Sequence, residues 1–583
     1  MSINPTESHT LLAVEIGTIN TRAAYFDVVE GSYRMIGMGQ SPTTSAAPVR
    51  NIMVGIQLAV ENLQMIVGKP LMDDEGHLIV PTKSDGSGAD NLVATLSLGK
   101  VLDTILVGLL PEVSLQSLEN LAQTNCLRVV DRIHIMDPRQ LDEIVDTIVR
   151  YRPDLILMAG GVDGGSRQFV ENITGIIGLG MFLLPVANRP AVIYAGNDDL
   201  ANSVQAALSH ITSRISVTPN IRPALEFEDL SVAQRHLANF VVDLRKKQMP
   251  ELEELKNLTG GTLLASASGR SRMVRFLSSY FGSRQGTMSI DVGASAVSLE
   301  ASIEGDIYSN IFPQLGLGSA TSDLLEYTTL EDIERWVPLE IPQESIRDYL
   351  YQKSLYPGYI PVSKEELAIE QAIIRQNLNL GFEWMIQRLP EEIRPKPGLI
   401  PQMGSIIVGG TPITGAASQG QKLMMLLDGI QPTGIVTLTL DQNNLLSMMG
   451  AAAEINPLLP VQALDSGALV HLATAISPVS NAEFGTPIVR VRLIRDDGTE
   501  SSSEILMGDL QVLPLKSHQK AKLQLRPLQN TNVGFGSGRA NEVEVVGSSM
   551  GVVIDARGRP LRLPSDPSQR RTLLQQWNKK LED

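Results

Sequence analysis

Two hydrophobic periods alternate along the chain. Residues 11–40 carry apolar runs broken by an acid–glycine pair at Glu30-Gly31, which predicts two or three strands joined by tight turns. Between 48 and 68, apolar residues recur at helical spacing (Val49, Ile52, Ile56, Ala59, Val60, Leu63, Ile66) and predict one buried helix face. Strand and helix patterns then take turns. "DTILVGLL" and "RVVDRIHIM" read as strands around the helix "SLQSLENLAQ", and "DPRQLDEIVDTIVRYRP" reads as a helix capped by Asp137 with Pro138 at its start. "DLILMAGG" and "PAVIYAGN" are apolar enough for buried strands, each followed by a helical pattern. Further helices are predicted over 228–257 and 266–282, strands from Thr287, a mixed and charged helical insertion over 321–399, and strand–helix units from "SIIVGGTPIT" to "DQNNLLSMMGAAAEI". Strands alternating with helices predict parallel α/β sheets. After about residue 465 the segments become short, β-rich and separated by turn residues, predicting a small C-terminal β-domain over 465–583 with a short helical tail.

One pattern occurs twice. Val14-Glu15-Ile16-Gly17 and Ile290-Asp291-Val292-Gly293 are both strand ends carrying an acid, then glycine, then small residues and a second strand. Both second strands run into an acid–glycine turn, Glu30-Gly31 and Glu304-Gly305. A motif repeated together with its hairpin predicts two related lobes, 1–282 and 283–460. Glycine at such a link lets backbone approach a ligand, and the following N–H and hydroxyl groups can cradle phosphate oxygens. One hairpin from each lobe would clamp a polyphosphate, with Glu15 and Asp291 holding Mg²⁺ and Gly17, Thr18, Asn20, Thr21, Arg22 and Gly293 forming the cradle. Gly409 and Gly410, at another strand end, would let a base or ribose lie against backbone. The "AGGVDGG" loop adds Gly160, Gly161, Asp163 and Gly164, glycines before a helix N-terminus that suit an anion, and a carboxylate that suits a metal.

Composition narrows the partners. The chain has 583 residues, which predicts several domains, and a net charge of −16, which argues against a nucleic-acid backbone or an anionic membrane surface. The single cysteine, Cys126, excludes an intrachain disulfide framework, and the scattered histidines offer no ligand spacing for a structural metal. The start "MSINPTESHT" lacks the features of a signal peptide, and "ITGIIGLGMFLLPVA" is too short to span a bilayer comfortably; the expected location is the cytoplasm.

With these motifs in place, the chain resembles the superfamily of actin, sugar kinases and heat-shock chaperone ATPases. Within it, the chain resembles the component L family associated with glutamate mutase (methylaspartate mutase), carried by "LLAVEIGTINTRAA", "LILMAGGVDGG", "PAVIYAGND", "TMSIDVGASAV", "IIVGGTPITGA", "LLDGIQPTG" and "LTLDQNNLLSMMGAAAE" in that order over roughly 10–455. The resemblance implies two duplicated ribonuclease H-like lobes around a nucleotide cleft. It also implies an ATP- and Mg²⁺-binding accessory, chaperone or reactivase-like protein for an adenosylcobalamin-dependent mutase. Two departures bear on turnover. Glu15 stands where the superfamily has Asp, and the pattern Asp-Val-Gly-Gly-Ala-Thr-Thr-Asp is here Asp291-Val292-Gly293-Ala294-Ser295-Ala296-Val297-Ser298. Loss of one preorganised donor typically costs about 10²–10³ in rate, so a pseudo-ATPase scaffold that binds through its C-terminal domain is the alternative expectation. A small-molecule kinase or hydrolase on the same fold is the third, although no motif supplies its base.

Overall fold

The computed structural model describes residues 9–165, 167–246, 248–280 and 286–582. Its contacts divide the chain into two compact units: Met1–Ser97 with Leu255–Asp583, and Leu98–Glu254.

In the first unit, β1 (Leu11–Ile16), β2 (Asn20–Val29) and β3 (Ser32–Pro42) form an antiparallel meander covered by α1 (Ile52–Val67). β4 (Asn91–Leu96) lies parallel to β1, and β5 (Leu263–Ala265) parallel to β4. Helix α2 (Ser266–Tyr280) leads out of this sheet. A second meander follows: β6 (Gly286–Val292), β7 (Val297–Ile303) and β8 (Asp306–Phe312). After α3 (Lys364–Arg388), β9 (Met403–Gly409) lies parallel to β6. After α4 (Gln419–Gly429), β10 (Gly434–Leu440) lies parallel to β9. Both sheets therefore run third–second–first–fourth–fifth strand with the same directions. The fold is a duplicated ribonuclease H-like, actin-like α/β architecture. The two meanders even share their turn: Glu30 and Gly31 have φ of 52° and 77°, Glu304 and Gly305 53° and 98°. Two successive left-handed residues match the twist of the flanking strands, which is why glycine sits second in both.

α2 and α5 (Leu445–Ile455) cross backbone against backbone. A Cβ on Gly450 would lie 2.1 Å from the Gly269 carbonyl oxygen, and one on Gly269 2.4 Å from that of Ser447. This close crossing lets α2, which starts at the edge of the first sheet, reach the hairpin of the second.

The C-terminal β-rich region is present but not wholly separate. β11 (Val470–Ser477) pairs with β10 and so extends the second-lobe sheet. β12 (Pro487–Arg495), β13 (Glu500–Leu506), β15 (Lys520–Pro527) and β16 (Asn541–Val546) make a four-stranded sheet of their own. β14 (Leu510–Leu513) and β17 (Val552–Asp555) return to the large sheet, with β17 between β11 and β14. A buried ionic network ties this return to the lobe. Arg557 donates to both carboxylate oxygens of Asp555 at 2.8 Å and to Asp428 Oδ1 at 2.7 Å. Arg559 Nη2 reaches Asp555 at 2.5 Å and Arg375 Nε reaches Asp428 at 2.8 Å. The tail helix, α6 (Pro567–Glu582), lays Trp577 over the Arg557 guanidinium.

The second unit is a parallel sheet of five strands: Leu127–Ile133, Leu102–Val107, Leu155–Met158, Ala191–Tyr194 and Ile215–Val217, in that spatial order. This is the 2-1-3-4-5 order of a doubly wound sheet. Several local expectations shift. Asp137 does not cap its helix, which runs Leu141–Tyr151 behind a Gln140–Glu143 capping box; Asp137 instead binds Arg139. The helix expected over 228–257 is two, Ser231–Arg245 and Glu251–Leu258, with Pro250 between them. Val49 is exposed because α1 begins only at Ile52, capped by the Asn51 side chain, and Ile66, in the last turn of α1, is exposed as well.

Candidate functional site

The two acid–glycine hairpins have the same geometry. Glu15 is paired across the strands with Arg22 and Asp291 with Ser298, one step before each turn. Each turn closes by the same bond: Gly17 N–H to the Asn20 carbonyl at 2.9 Å, Gly293 N–H to that of Ala296 at 3.0 Å. Both glycines keep space beneath their acids. A Cβ on Gly17 would lie 2.8 Å from the Asn20 carbonyl oxygen and 3.7 Å from both Glu15 carboxylate oxygens.

Glu15 is buried and takes hydrogen bonds from Arg22 Nη1 and Ser97 Oγ, both at 3.2 Å. Arg22 also crosses to the other lobe, donating from Nη2 to Thr411 Oγ1 at 2.8 Å. Thr411 opens the short turn after Gly409-Gly410. Gly410 holds φ = 95°, and its Cβ position is only 2.1 Å from the Val292 carbonyl, so glycine there is demanded by the packing of two strand ends. Gly409 borders Asp291: a Cβ would lie 3.2 Å from Oδ1. The expected cradle divides. Thr18 Oγ1 is buried with no hydrogen-bond partner among the described residues. The Thr21 hydroxyl is shared with Thr43 at 2.9 Å, and Asn20 contributes its carbonyl to the turn.

Sequence reasoning missed four polar residues here. Asp441, at the end of β10, accepts the N–H groups of Leu445 and Leu446 at 2.8 Å and so starts α5. The signal for it was an acid directly before an apolar helix in "DQNNLL". Asn444 Oδ1 takes the Gly410 N–H at 3.3 Å. Arg270, on α2, binds Glu300 through Nε at 3.2 Å and Ser298 Oγ through Nη2 at 2.7 Å. Glu300 is completely buried on β7. Nothing in a single sequence marks Arg270 as belonging to the hairpin.

These groups feel one another. Burial raises the Glu15 carboxyl above its usual range; Arg22 pulls it down and Asp291 pushes it up. Burial also raises Asp441, against the two helix N–H groups and with Asp291 adding to the rise. Glu300 is raised by burial although Arg270 opposes it. Arg270 is held firmly protonated: burial would lower it, but Glu300 and Asp291 outweigh that. Four carboxylates (Glu15, Asp291, Glu300, Asp441) face two guanidiniums (Arg22, Arg270), an excess of negative charge that a divalent cation relieves. Together with the unpartnered Thr18 hydroxyl and the glycine floor, this donor set fits a Mg²⁺-nucleotide. Glu15 and Asp291 would hold the metal, usually through water, and the Gly17–Arg22 turn would hold phosphate.

Gly160, Gly161, Asp163 and Gly164 belong to the second unit. They follow the strand Leu155–Met158, next to Leu102–Val107, where the strand order reverses; ligands of doubly wound sheets bind outside such strand ends. Asp163 Oδ1 there accepts the Asn220 side-chain amide at 2.8 Å and the Asp198 N–H at 3.2 Å. Asn197 caps the next helical turn through Asp199 N–H. A separate cavity of about 180 Å³ in the first unit is lined by Phe276, Leu277, Ile407, Leu464 and Leu469 and includes none of the site carboxylates. Among the described residues no helix is long and apolar enough to cross a membrane.

A family model described as "MutL protein" matches residues 11–467. No curated protein matches the chain. Solved structures with similarity include an acetone carboxylase in its nucleotide-free form, at 10% identity, TM-score 0.34, with 86% of this chain and 81% of that one covered. They also include component A of (R)-2-hydroxyglutaryl-CoA dehydratase from Acidaminococcus fermentans (8% identity, TM-score 0.25, coverage 76% and 97%). A third is the ethanolamine utilization protein EutJ from Carboxydothermus hydrogenoformans (9% identity, TM-score 0.26, coverage 77% and 92%).

Proposed function

We propose that this chain, which belongs to the MutL protein family, is a nucleotide-binding accessory protein whose two lobes close on Mg²⁺-ATP and relax on ADP. One observation carries the reading. The two hairpins bring Asp291 close enough to Glu15 to push up the Glu15 carboxyl, and Arg22 spans the lobes from Glu15 to Thr411. A phosphate chain entering there competes for Arg22 and draws the two hairpins onto itself, which converts nucleotide state into lobe position. Resemblance to the glutamate mutase component L family supports an adenosylcobalamin-dependent mutase as the protein that feels this motion.

The test is calorimetry of ATP and ADP with Mg²⁺ on the full chain, followed by turnover assays. Binding that is lost in both Glu15→Ala and Asp291→Ala supports the reading; absence of binding to the wild type removes it. A second reading, a scaffold that binds nucleotide without turnover, is favoured by the second hairpin. Ala294, Ala296 and Val297 offer no hydroxyl where the resembled pattern has donors. Tight binding with no phosphate release would select it.

A further inference from the structure

The second hairpin has lost its hydroxyl donors, yet a cation stands beside it. Arg270 does not come from the hairpin or its sheet; it arrives on α2, which the glycine crossing with α5 brings against β6 and β7. One edge of its guanidinium is fixed: Nε and Nη2 are held by Glu300 and Ser298. The other terminal nitrogen, Nη1, makes no hydrogen bond among the described residues and stands 3.9 Å from Asp291 Oδ2. The Glu15 carboxylate also lies within its electrostatic reach.

Resting on the nucleotide reading above, we infer that Arg270 is the phosphate-binding group of the second hairpin. A guanidinium clamped along one edge offers its remaining N–H groups in a fixed direction, at little further entropic cost. The direction here is toward the pair Glu15 and Asp291, where Mg²⁺ and phosphate would meet. Arg22 stands likewise at the first hairpin, bonded to Glu15. The site thus sets one guanidinium beside each hairpin, and a ligand needs phosphates on both sides to engage both. This assigns the ligand class as a nucleoside di- or triphosphate in preference to a monophosphate. It also explains how the chain dispenses with the missing threonine hydroxyls.

The variant must not strand the buried Glu300, so the test uses the charge-neutral double replacement Arg270→Met with Glu300→Gln. Its melting temperature without ligand serves as the fold control. Calorimetry with Mg²⁺-ATP, Mg²⁺-ADP and AMP is expected to show wild-type affinity falling in that order. In the double variant, ATP and ADP binding is expected to weaken about 10- to 100-fold, the range of one charged hydrogen-bond donor. AMP binding is expected to be unchanged. If the double variant melts below the assay temperature, Arg270→Lys takes its place; it keeps the charge but loses the fork, and must still lose several-fold in ATP affinity. Unchanged ATP affinity in the folded variant overturns the Arg270 assignment while leaving nucleotide binding intact. A wild type that binds no nucleotide overturns the underlying reading instead.

Discussion

The buried ionic network at the end of β17 makes a quantitative prediction. Three arginines (Arg375, Arg557, Arg559) meet two aspartates (Asp428, Asp555), all five side chains being 5% exposed or less. Asp555 alone accepts from Arg557 and from Arg559. Asp555→Asn leaves three cations facing one carboxylate in a fully buried site. Removing one partner of such a buried set costs about 3–5 kcal/mol. Arg557→Met looks more drastic but leaves Arg375 with Asp428 and Arg559 with Asp555, so charges still balance. Its cost is the lost hydrogen bonds and the stacking on Trp577, about 1–3 kcal/mol. The order is therefore Asp555→Asn worse than Arg557→Met. The assay is denaturant unfolding followed by tryptophan fluorescence, with Trp577 reporting directly. Acid adds a second check. Burial alone would raise the Asp555 carboxyl, but Arg557 and Arg559 hold it far below the ordinary carboxylate range of 3.8. A depressed folded-state pKa gives stability that is complete above the unfolded value and lost as pH falls below it. The gap between wild type and Asp555→Asn is expected to be constant from about pH 7 to pH 5 and to shrink only below about pH 4. Equal costs for the two variants, or a gap that already closes between pH 7 and 5, would refute the charge-count argument.

Three further outcomes are expected. Thr18→Val removes a buried hydroxyl without a partner, so stability should change by less than about 0.5 kcal/mol while Mg²⁺-nucleotide affinity falls about tenfold; melting and calorimetry read the two separately. Gly450→Ala places a methyl 2.1 Å from the Gly269 carbonyl and should lower stability by at least about 1–3 kcal/mol, seen as a lower melting temperature. Asp441→Ala should cost about 1–2 kcal/mol through the lost cap of α5, whereas Asp441→Asn, which keeps an acceptor, should cost less in the same melt.

What the sequence made legible followed from local chemistry. The acid–glycine hairpins were readable because a tight link needs glycine and a left-handed turn needs it again, and both constraints act within a few residues of each other. The buried strands of the second unit were readable from their apolar runs. Arg270 and Glu300 were not, because their meeting depends on the crossing of α2 with α5, a contact between segments whose local patterns say only "helix". Which sheet each C-terminal strand joins was not legible for a similar reason. β11, β14 and β17 have the composition of any short strand, and which sheet a strand joins is decided by partners far along the chain. Thr21 and Gly410 were assigned to a ligand from their neighbourhood. Thr21 has its hydroxyl engaged by Thr43, and Gly410 is required by the Val292 backbone.

The placement of β17 between β11 and β14 also bears on how the protein is made. A chain emerging from the ribosome presents β6 to β11 early, but β11 keeps an open edge until Val552–Asp555 has been synthesised. An unpaired edge is where nascent strands find wrong partners. The second lobe therefore cannot mature by domain-wise addition; its sheet closes only when almost the whole chain is available. Truncation between β11 and β17 should yield an aggregating product, even though every residue of the candidate nucleotide site would still be present.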